Sequence, residues 1–267
     1  MKKLTDSAFN VFSQFGEDGI IQEIFQVIGI SFKTCIEFGA WDGIHLSNTA
    51  NLWKNGWKAI LIESDKTKYG SLVKNCAQYD CYCINATVGT EGHGTIENIL
   101  KSHNLSEDID FISIDIDGDE YYVLESFKHF RPRVICCEYN PTIPPHIHLV
   151  PRTKNYFGCS ALSLIGLAEK MAYKLISITD SNCFFVTASE FDKFRHYETS
   201  FHELAVTRHL TYLITGYDGS YILSREPTYG FSKPSALTFV GNYYVPSSSN
   251  RVSTLARSIL TRITKCR

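Results

Sequence analysis

The 267-residue chain contains no apolar run approaching the ~18–20 residues of a membrane span. Polar residues follow its Met1-Lys2-Lys3 start where a secretory leader would carry an apolar stretch, so no leader is expected. Charge of one sign is missing too. Lys and Arg number 26 against 28 Asp and Glu, and a net charge of −2 gives no global field to draw the chain onto nucleic acid. The nine cysteines are odd in number and include no C-x-x-C pair. Cys35, Cys136, Cys137 and Cys183 lie in apolar, strand-like runs, where cysteine behaves as a small hydrophobe. Cys76, Cys81 and Cys83 cluster without a His/Cys pair at zinc spacing, which favours a structural role over a metal site. Together these absences predict a cytoplasmic protein with free thiols, no membrane span and no nucleic-acid partner. A homodimer is compatible with the composition.

What is present suits one large α/β domain with decoration: 44% of residues are hydrophobic and 20% charged. Apolar positions from Phe15 to Ile28 recur at helical spacing and stop at Gly29. Strands are expected at 34–38, 58–63, 82–88, 111–116, 134–138, 173–178 and 183–187. Helices are expected between them, at 47–55, 66–78, 95–103, 119–128 and 160–171. Strand and helix alternate over short connections, and runs such as 59–62 and 134–137 are continuously apolar. That pattern predicts a Rossmann-like, mostly parallel sheet sandwiched by helices, with a C-terminal extension. Three prolines within Asn140–His148 rule out regular structure there. The expected organisation is a core over 1–190 including an N-terminal helical segment, a cap or extension packed on it over 191–250, and a basic amphipathic tail over 251–267. The tail reads either as a docked amphipathic helix or as an anchor to an anionic surface.

The motif Glu37-Phe38-Gly39-Ala40-Trp41-Asp42-Gly43 follows a strand and precedes a helix. Its glycines permit a tight turn and a close approach of backbone to ligand. The spacing is not G-x-G-x-x-G, so the pyrophosphate fingerprint is absent. Glu63 ends the second strand, twenty residues past Gly43, where a carboxylate can accept both hydroxyls of a ribose. Asn85, at the end of the third strand, offers an amide to an adenine edge.

In this order the motifs resemble class I S-adenosylmethionine (SAM)-dependent methyltransferases, and in detail their FkbM-like branch. The residues that carry the resemblance are Ser13–Asp18, Glu37–Gly43, Leu46–Thr49, Ile114–Gly118 and Asn182–Phe185, across residues 11–190. The likeness implies a seven-stranded sheet whose last strand is antiparallel, and SAM held by Glu37, Gly39, Gly43 and Glu63, with Asn85 and Asp115 beside it. It further implies O-methylation of a small polar acceptor such as a sugar, nucleotide-sugar or glycan precursor. That branch often carries a Glu before the glycine after strand four, where this chain has Asp115-Ile116-Asp117-Gly118. A nicotinamide-dependent oxidoreductase and a non-catalytic nucleotide-fold module are the alternatives.

Asp115, Asp117, Glu138 and Asn140 are expected to converge on the acceptor side, because positions i and i+2 of a strand share a face. Crowded carboxylates repel unless protonated, hydrogen-bonded or metal-bound. Asp115, Asp117 and Glu138 therefore suit Mg²⁺ or Mn²⁺, a metal-free polar acceptor site, or a capping role for the next helix. Candidate catalytic groups are Asp117 and three loop histidines, His45, His146 and His148, any of which could take the acceptor's proton or simply be exposed. Tyr121, Tyr122, Tyr139 and Tyr156 could stack on a sugar or belong to core and rim.

Overall fold

The expected apolar runs become the strands of one sheet: β1 (Thr34–Phe38), β2 (Lys58–Glu63), β3 (Cys81–Asn85), β4 (Phe111–Ile114), β5 (Val134–Glu138), β6 (Tyr173–Ile178) and β7 (Asn182–Thr187). The computed structural model describes residues 1–152 and 157–228, with the backbone of 237–240 and 243–246. Strand order is β3-β2-β1-β4-β5-β7-β6, parallel except for β7, which runs antiparallel to both β5 and β6. The mostly parallel sheet is thus as the alternation of elements predicts, and its seven strands with an inverted last one are as the resemblance implies. Helices α1 (Glu17–Ile28), α2 (Ala50–Lys54), α3 (Lys66–Cys76), α4 (Ile96–Ser102), α5 (Glu120–Glu125) and α6 (Ala161–Lys170) fill the connections.

Alternation along the strands builds two cores. Ile36, Ile60, Ile112 and Ile135 face α4, α5 and α6, whereas Cys35, Leu61, Phe111 and Cys136 face α1, Trp53 and α3. Cysteine on both faces is buried and free, as expected of a small hydrophobe. Cys76, Cys81 and Cys83 pack in the second core, and all eight described cysteines are free thiols. Cys266 and Tyr156 lie outside the described residues.

Strand order reverses between β1 and β4, because the chain winds outward to β3 and then crosses back. An open α/β sheet binds ligands at the carboxyl ends of its strands beside such a reversal. The opposite end carries a structural ion pair. Asp110 is fully buried and accepts the backbone N–H of Phe32 and Lys33 at 2.7 Å and of Ser31 at 3.1 Å. Its other oxygen pairs with Arg133 Nη1 at 2.8 Å, and Arg133 Nη2 reaches Glu190 at 2.7 Å.

The chain divides into two compact units, Met1–Val206 and Thr207–Arg267. Residues 191–194 form a single 3₁₀ turn and α7 (Phe201–Leu204) closes the first unit. The second unit holds a four-stranded sheet of β8 (Leu213–Thr215), β9 (Tyr221–Leu223), β10 (Leu237–Val240) and β11 (Tyr243–Pro246) in the order β10-β11-β9-β8. Strands of three or four residues are too short to leave a readable period. The tail 251–267 lies outside the described residues.

Removing the Asp110 carboxylate would leave the Ser31, Phe32 and Lys33 amides without their acceptor and take from Arg133 its fully buried ion-pair partner, with Glu190 still paired to it. Asp110→Ala should cost about 3–5 kcal/mol of stability, read as a lowered denaturant midpoint in equilibrium unfolding; an unchanged midpoint would remove this network as a stabilising element.

Candidate active site

Four buried carboxylates organise the loops at the carboxyl ends of the strands. Glu37, at the end of β1, accepts Ser47 Oγ at 2.6 Å, Thr49 Oγ1 at 2.7 Å and the Asn48 N–H at 2.8 Å. It thereby clamps the loop that enters α2, and burial pushes its pKa up to about 7 against the pull of those hydrogen bonds. Glu63 ends β2 and accepts the Trp41 N–H at 2.9 Å with one oxygen and the Asp65 N–H at 2.7 Å with the other. Glu120 opens α5 and accepts the N–H of Gly118 at 2.7 Å and of Ile116 at 3.1 Å. Burial raises Glu120 to about 7 as well. Glu17, at the start of α1, accepts the Phe15 N–H at 2.7 Å, Thr179 Oγ1 at 2.8 Å and Asn182 Nδ2 at 3.1 Å.

Gly39 turns the chain with φ +65°, and a Cβ there would overlap the Asp115 carbonyl oxygen. The β1 turn therefore sits directly against the end of β4, which only glycine allows. Gly43 has φ +82°, but its missing Cβ leaves space taken by Leu72 and Cys76 of α3, so it serves packing beneath the turn. Between them, Trp41 has a left-handed φ of 49° and lies about half exposed, with Lys68 Nζ 3.2 Å from its ring centroid. Asn85 Nδ2 donates to the Glu63 carbonyl at 2.8 Å and the Ser64 carbonyl at 3.1 Å, holding the ends of β2 and β3 together.

Asp115, Asp117 and Glu138 come together as expected, their nearest oxygens all within 4.8 Å of one another. The route differs from the expectation. β4 ends at Ile114, so Asp115 and Asp117 lie on the following loop, and Asp117 adopts φ +60° rather than strand alternation. Burial drives Asp115 up to about 6, with Asp117 and Glu17 adding to the push and a hydrogen bond with Glu138 opposing it. Glu138 is driven up to about 10 by burial, then by Asp115 and Glu120, so it holds the proton of the pair. Three oxygen donors so close could hold a divalent cation or a cationic ligand group. Asn140 does not join them through its side chain: its Oδ1 accepts from Thr142 and its Nδ2 donates to the Phe157 carbonyl at 2.8 Å.

The histidines stand apart. His45 is exposed on the turn, 5.8 Å from the Trp41 ring between centroids, and its backbone N–H donates to Asp42 at 2.8 Å. His146 and His148 are exposed in the loop after β5. Of the tyrosines, Tyr139 is core, its hydroxyl donating to the Thr179 carbonyl, and Tyr122 donates to the Pro151 carbonyl. Sequence reasoning left Glu17, Glu120 and Asn182 without roles. An acid in the first turn of a helix was the available signal for the first two.

The sequence profile described as the methyltransferase FkbM domain matches residues 93–157. This stretch carries Asp115, Asp117, Glu120 and Glu138, and the match bears out the resemblance to the FkbM-like branch of class I methyltransferases. It supports a SAM-dependent methyltransferase. No curated protein matches the sequence. Among solved structures, a SAM-dependent methyltransferase from Clostridium acetobutylicum is similar at 7% identity, with 64% of this chain and 90% of that one covered and a TM-score of 0.43. TehB from Haemophilus influenzae gives 9%, 63%, 62% and 0.42 for the same measures. A TehB-like methyltransferase from Corynebacterium glutamicum gives 10%, 69%, 92% and 0.41.

The raised carboxyls fix a sign for the pH dependence. A carboxyl raised from 4.5 binds its proton more tightly in the folded state, so its contribution to stability is full below 4.5 and lost as pH rises through the folded value. Stability should therefore fall from about pH 4.5 to about pH 7 through Glu37 and Glu120, and on toward about pH 10 through Glu138. Glu138→Gln, neutral throughout, should flatten the part above pH 7. Denaturant midpoints of both proteins across pH 5–9 test this, and parallel profiles would contradict the proton on Glu138.

Proposed function

We propose that this methyltransferase binds SAM between the Gly39 turn and Glu63 and methylates a hydroxyl of a small polar acceptor, with a sugar or sugar derivative as the leading class. The observation that carries the reading is the meeting of Glu37, Gly39, Glu63 and Asp115 at the carboxyl ends of β1, β2 and β4, where strand order reverses. The residues present fit the cofactor. Each Glu63 oxygen accepts one backbone N–H and keeps a lone pair for a ribose hydroxyl. Gly39 lets the β1 turn close against the Asp115 backbone, and Asp115 supplies negative charge beside a sulfonium. When bound, SAM supplies an electrophilic methyl group on sulfur.

The chain's own part is orientation and proton handling. Glu37 fixes the 47–49 loop and Glu120 fixes the 116–118 loop, so the carboxylate cluster is set before ligand arrives. Glu138 keeps a proton and leaves Asp115 as the hydrogen-bond acceptor of the pair. Asp117, the exposed member of the cluster, takes the acceptor hydroxyl's proton in this reading. A divalent cation on Asp115, Asp117 and Glu138 is the second reading, favoured by their 4.8 Å grouping, and would acidify that hydroxyl instead.

Glu63→Ala should weaken SAM or its demethylated product by about 1.5–3 kcal/mol in calorimetry, and unchanged affinity would take Glu63 out of the site. Asp117→Asn tests the base separately. Asn tolerates the left-handed backbone as Asp does, so folding and SAM affinity should hold while turnover falls ~10²-fold or more. The assay is SAM-dependent methyl transfer to a panel of neutral, aminated, phosphorylated and acidic sugars, with and without EDTA. Reversible loss of turnover with chelator would select the metal reading, whereas wild-type turnover in Asp117→Asn would end the assignment of Asp117.

A further inference from the structure

The hairpin joining β6 to β7 is an unusual surface feature because its tip is not exposed. Thr179, Asp180, Ser181 and Asn182 are all buried, although a hairpin tip normally lies in water. Asn182 begins β7 and pairs in register with Glu138, the last residue of β5. The hairpin therefore borders the carboxylate cluster at the same end of the sheet. Glu17 holds it there through Thr179 Oγ1 and Asn182 Nδ2.

Those bonds fix which way the Asn182 amide points. Glu17 Oε1 already accepts from Thr179, so the group facing it must be the donating NH₂. Asn182 Nδ2 also reaches Ser181 Oγ at 3.3 Å, and the amide oxygen is left buried with no hydrogen-bond partner among the described residues. Asn182 is 5% exposed, so the unpaired oxygen carries a desolvation cost that some donor must offset. Beyond the hairpin's own hydroxyls at Thr179 and Ser181, the polar groups of the adjoining cluster are of one kind. After burial and its hydrogen bond with Glu138, the strongest influences on Asp115 are Asp117 and Glu17, and those on Glu138 after burial are Asp115 and Glu120. Every one of these is a carboxyl: the ionised ones cannot donate, and the proton on Glu138 is given to Asp115.

We infer that the ligand group lodged at the ends of β4, β5 and β7 is a hydrogen-bond donor, and that the acceptor is a neutral or aminated polyhydroxyl compound whose hydroxyl or ammonium bonds Asn182 Oδ1 beside Glu138. This rests on the methyl-transfer reading above and narrows it, excluding phosphorylated and carboxylated acceptors. A phosphate or carboxylate would bring only acceptor oxygens to a wall of acceptor oxygens, leaving Asn182 unpaired and adding like-charge repulsion. A hydroxyl would satisfy the amide oxygen, and an ammonium would satisfy it and relieve the carboxylates together. Asn182 is a specificity-determining residue here, and Glu17 is the positioning residue that aims it.

The test uses the full chain saturated with S-adenosylhomocysteine, titrated in a calorimeter with glucose, glucosamine, glucose 6-phosphate and glucuronate, with and without Mg²⁺. Glucose or glucosamine should bind, and both anionic sugars should bind at least about tenfold more weakly, the loss of one hydrogen bond to a charged or polar partner. Asn182→Ala should narrow that preference by a similar factor while homocysteine-adduct affinity stays at the wild-type value, and Asn182→Ser, which restores an acceptor oxygen, should recover part of it. The wild-type comparison stands even if a variant fails to fold. Tighter binding of the phosphate or the uronate, with Mg²⁺ or without, overturns the inference, and so does failure of both glucose and glucosamine to bind. S-adenosylhomocysteine that does not bind at all would instead bring down the methyltransferase site on which the inference rests.

Discussion

The burial of carboxylates at the carboxyl ends of the strands is the constraint on which the rest of the site depends. Glu17, Glu37, Glu63 and Glu120 are each nearly inaccessible, and a buried carboxylate is costly unless its oxygens are occupied. In each case the donors are backbone amides, hydroxyls or a side-chain amide: Phe15, Thr179 and Asn182; Ser47, Asn48 and Thr49; Trp41 and Asp65; Ile116 and Gly118. Glu37 and Glu120 each shape a loop near them in the chain, Glu63 ties the Trp41 turn to its own strand end, and Glu17 reaches across the sequence to the β6–β7 hairpin. The loops are irregular in sequence and yet fixed in position, which an active site built on loops requires.

The two ends of the sheet meet the same problem differently. At the amino end, Asp110 takes three amides and the Arg133 guanidinium, and the arginine passes on to Glu190. With Lys193 Nζ also paired to Glu190, two cations meet two carboxylates and charge is balanced there, which suits a purely structural role. At the carboxyl end the negative charge is solvated by dipoles and remains as negative potential, raised to the point where Glu138 keeps its proton. Such an end is poised for a cation, and the sulfonium of SAM is one.

Much of this was legible in the sequence, for reasons that differ by element. β2 and β5 were readable to the residue because buried parallel strands are unbroken apolar runs, as at 59–62 and 134–137. Glu63 was readable because a strand end and a fixed distance from the glycine turn define it. The convergence of Asp115, Asp117 and Glu138 was readable, but its cause was not. A two-residue period was assumed where the chain leaves β4 at Ile114 and turns through a left-handed Asp117. The need for glycine at position 43 has a packing cause that the motif does not reveal, since a Cβ there would meet Leu72 and Cys76. Glu17 and Asn182 are separated by most of the chain, and their pairing depends on the inverted β7, a tertiary fact with no local signature. The short strands β8–β11 left no period at all.

Asp117 shows how backbone and chemistry overlap at one position. Its φ of 60° is a conformation that Asp and Asn tolerate and most side chains do not, so a turn here selects a small polar residue before any catalytic need is considered. Gly118 follows at φ 149°, and Glu120 accepts the amides on either side of Asp117, at Ile116 and Gly118. The turn is therefore over-determined by its neighbours and does not need the Asp117 carboxylate for its own stability. Strain held by surrounding groups while the side chain points outward is the arrangement expected where a residue is kept for what it touches. The carboxylate is the one property of the position that the backbone leaves unexplained, and it lies within 4.8 Å of its two partners in the cluster.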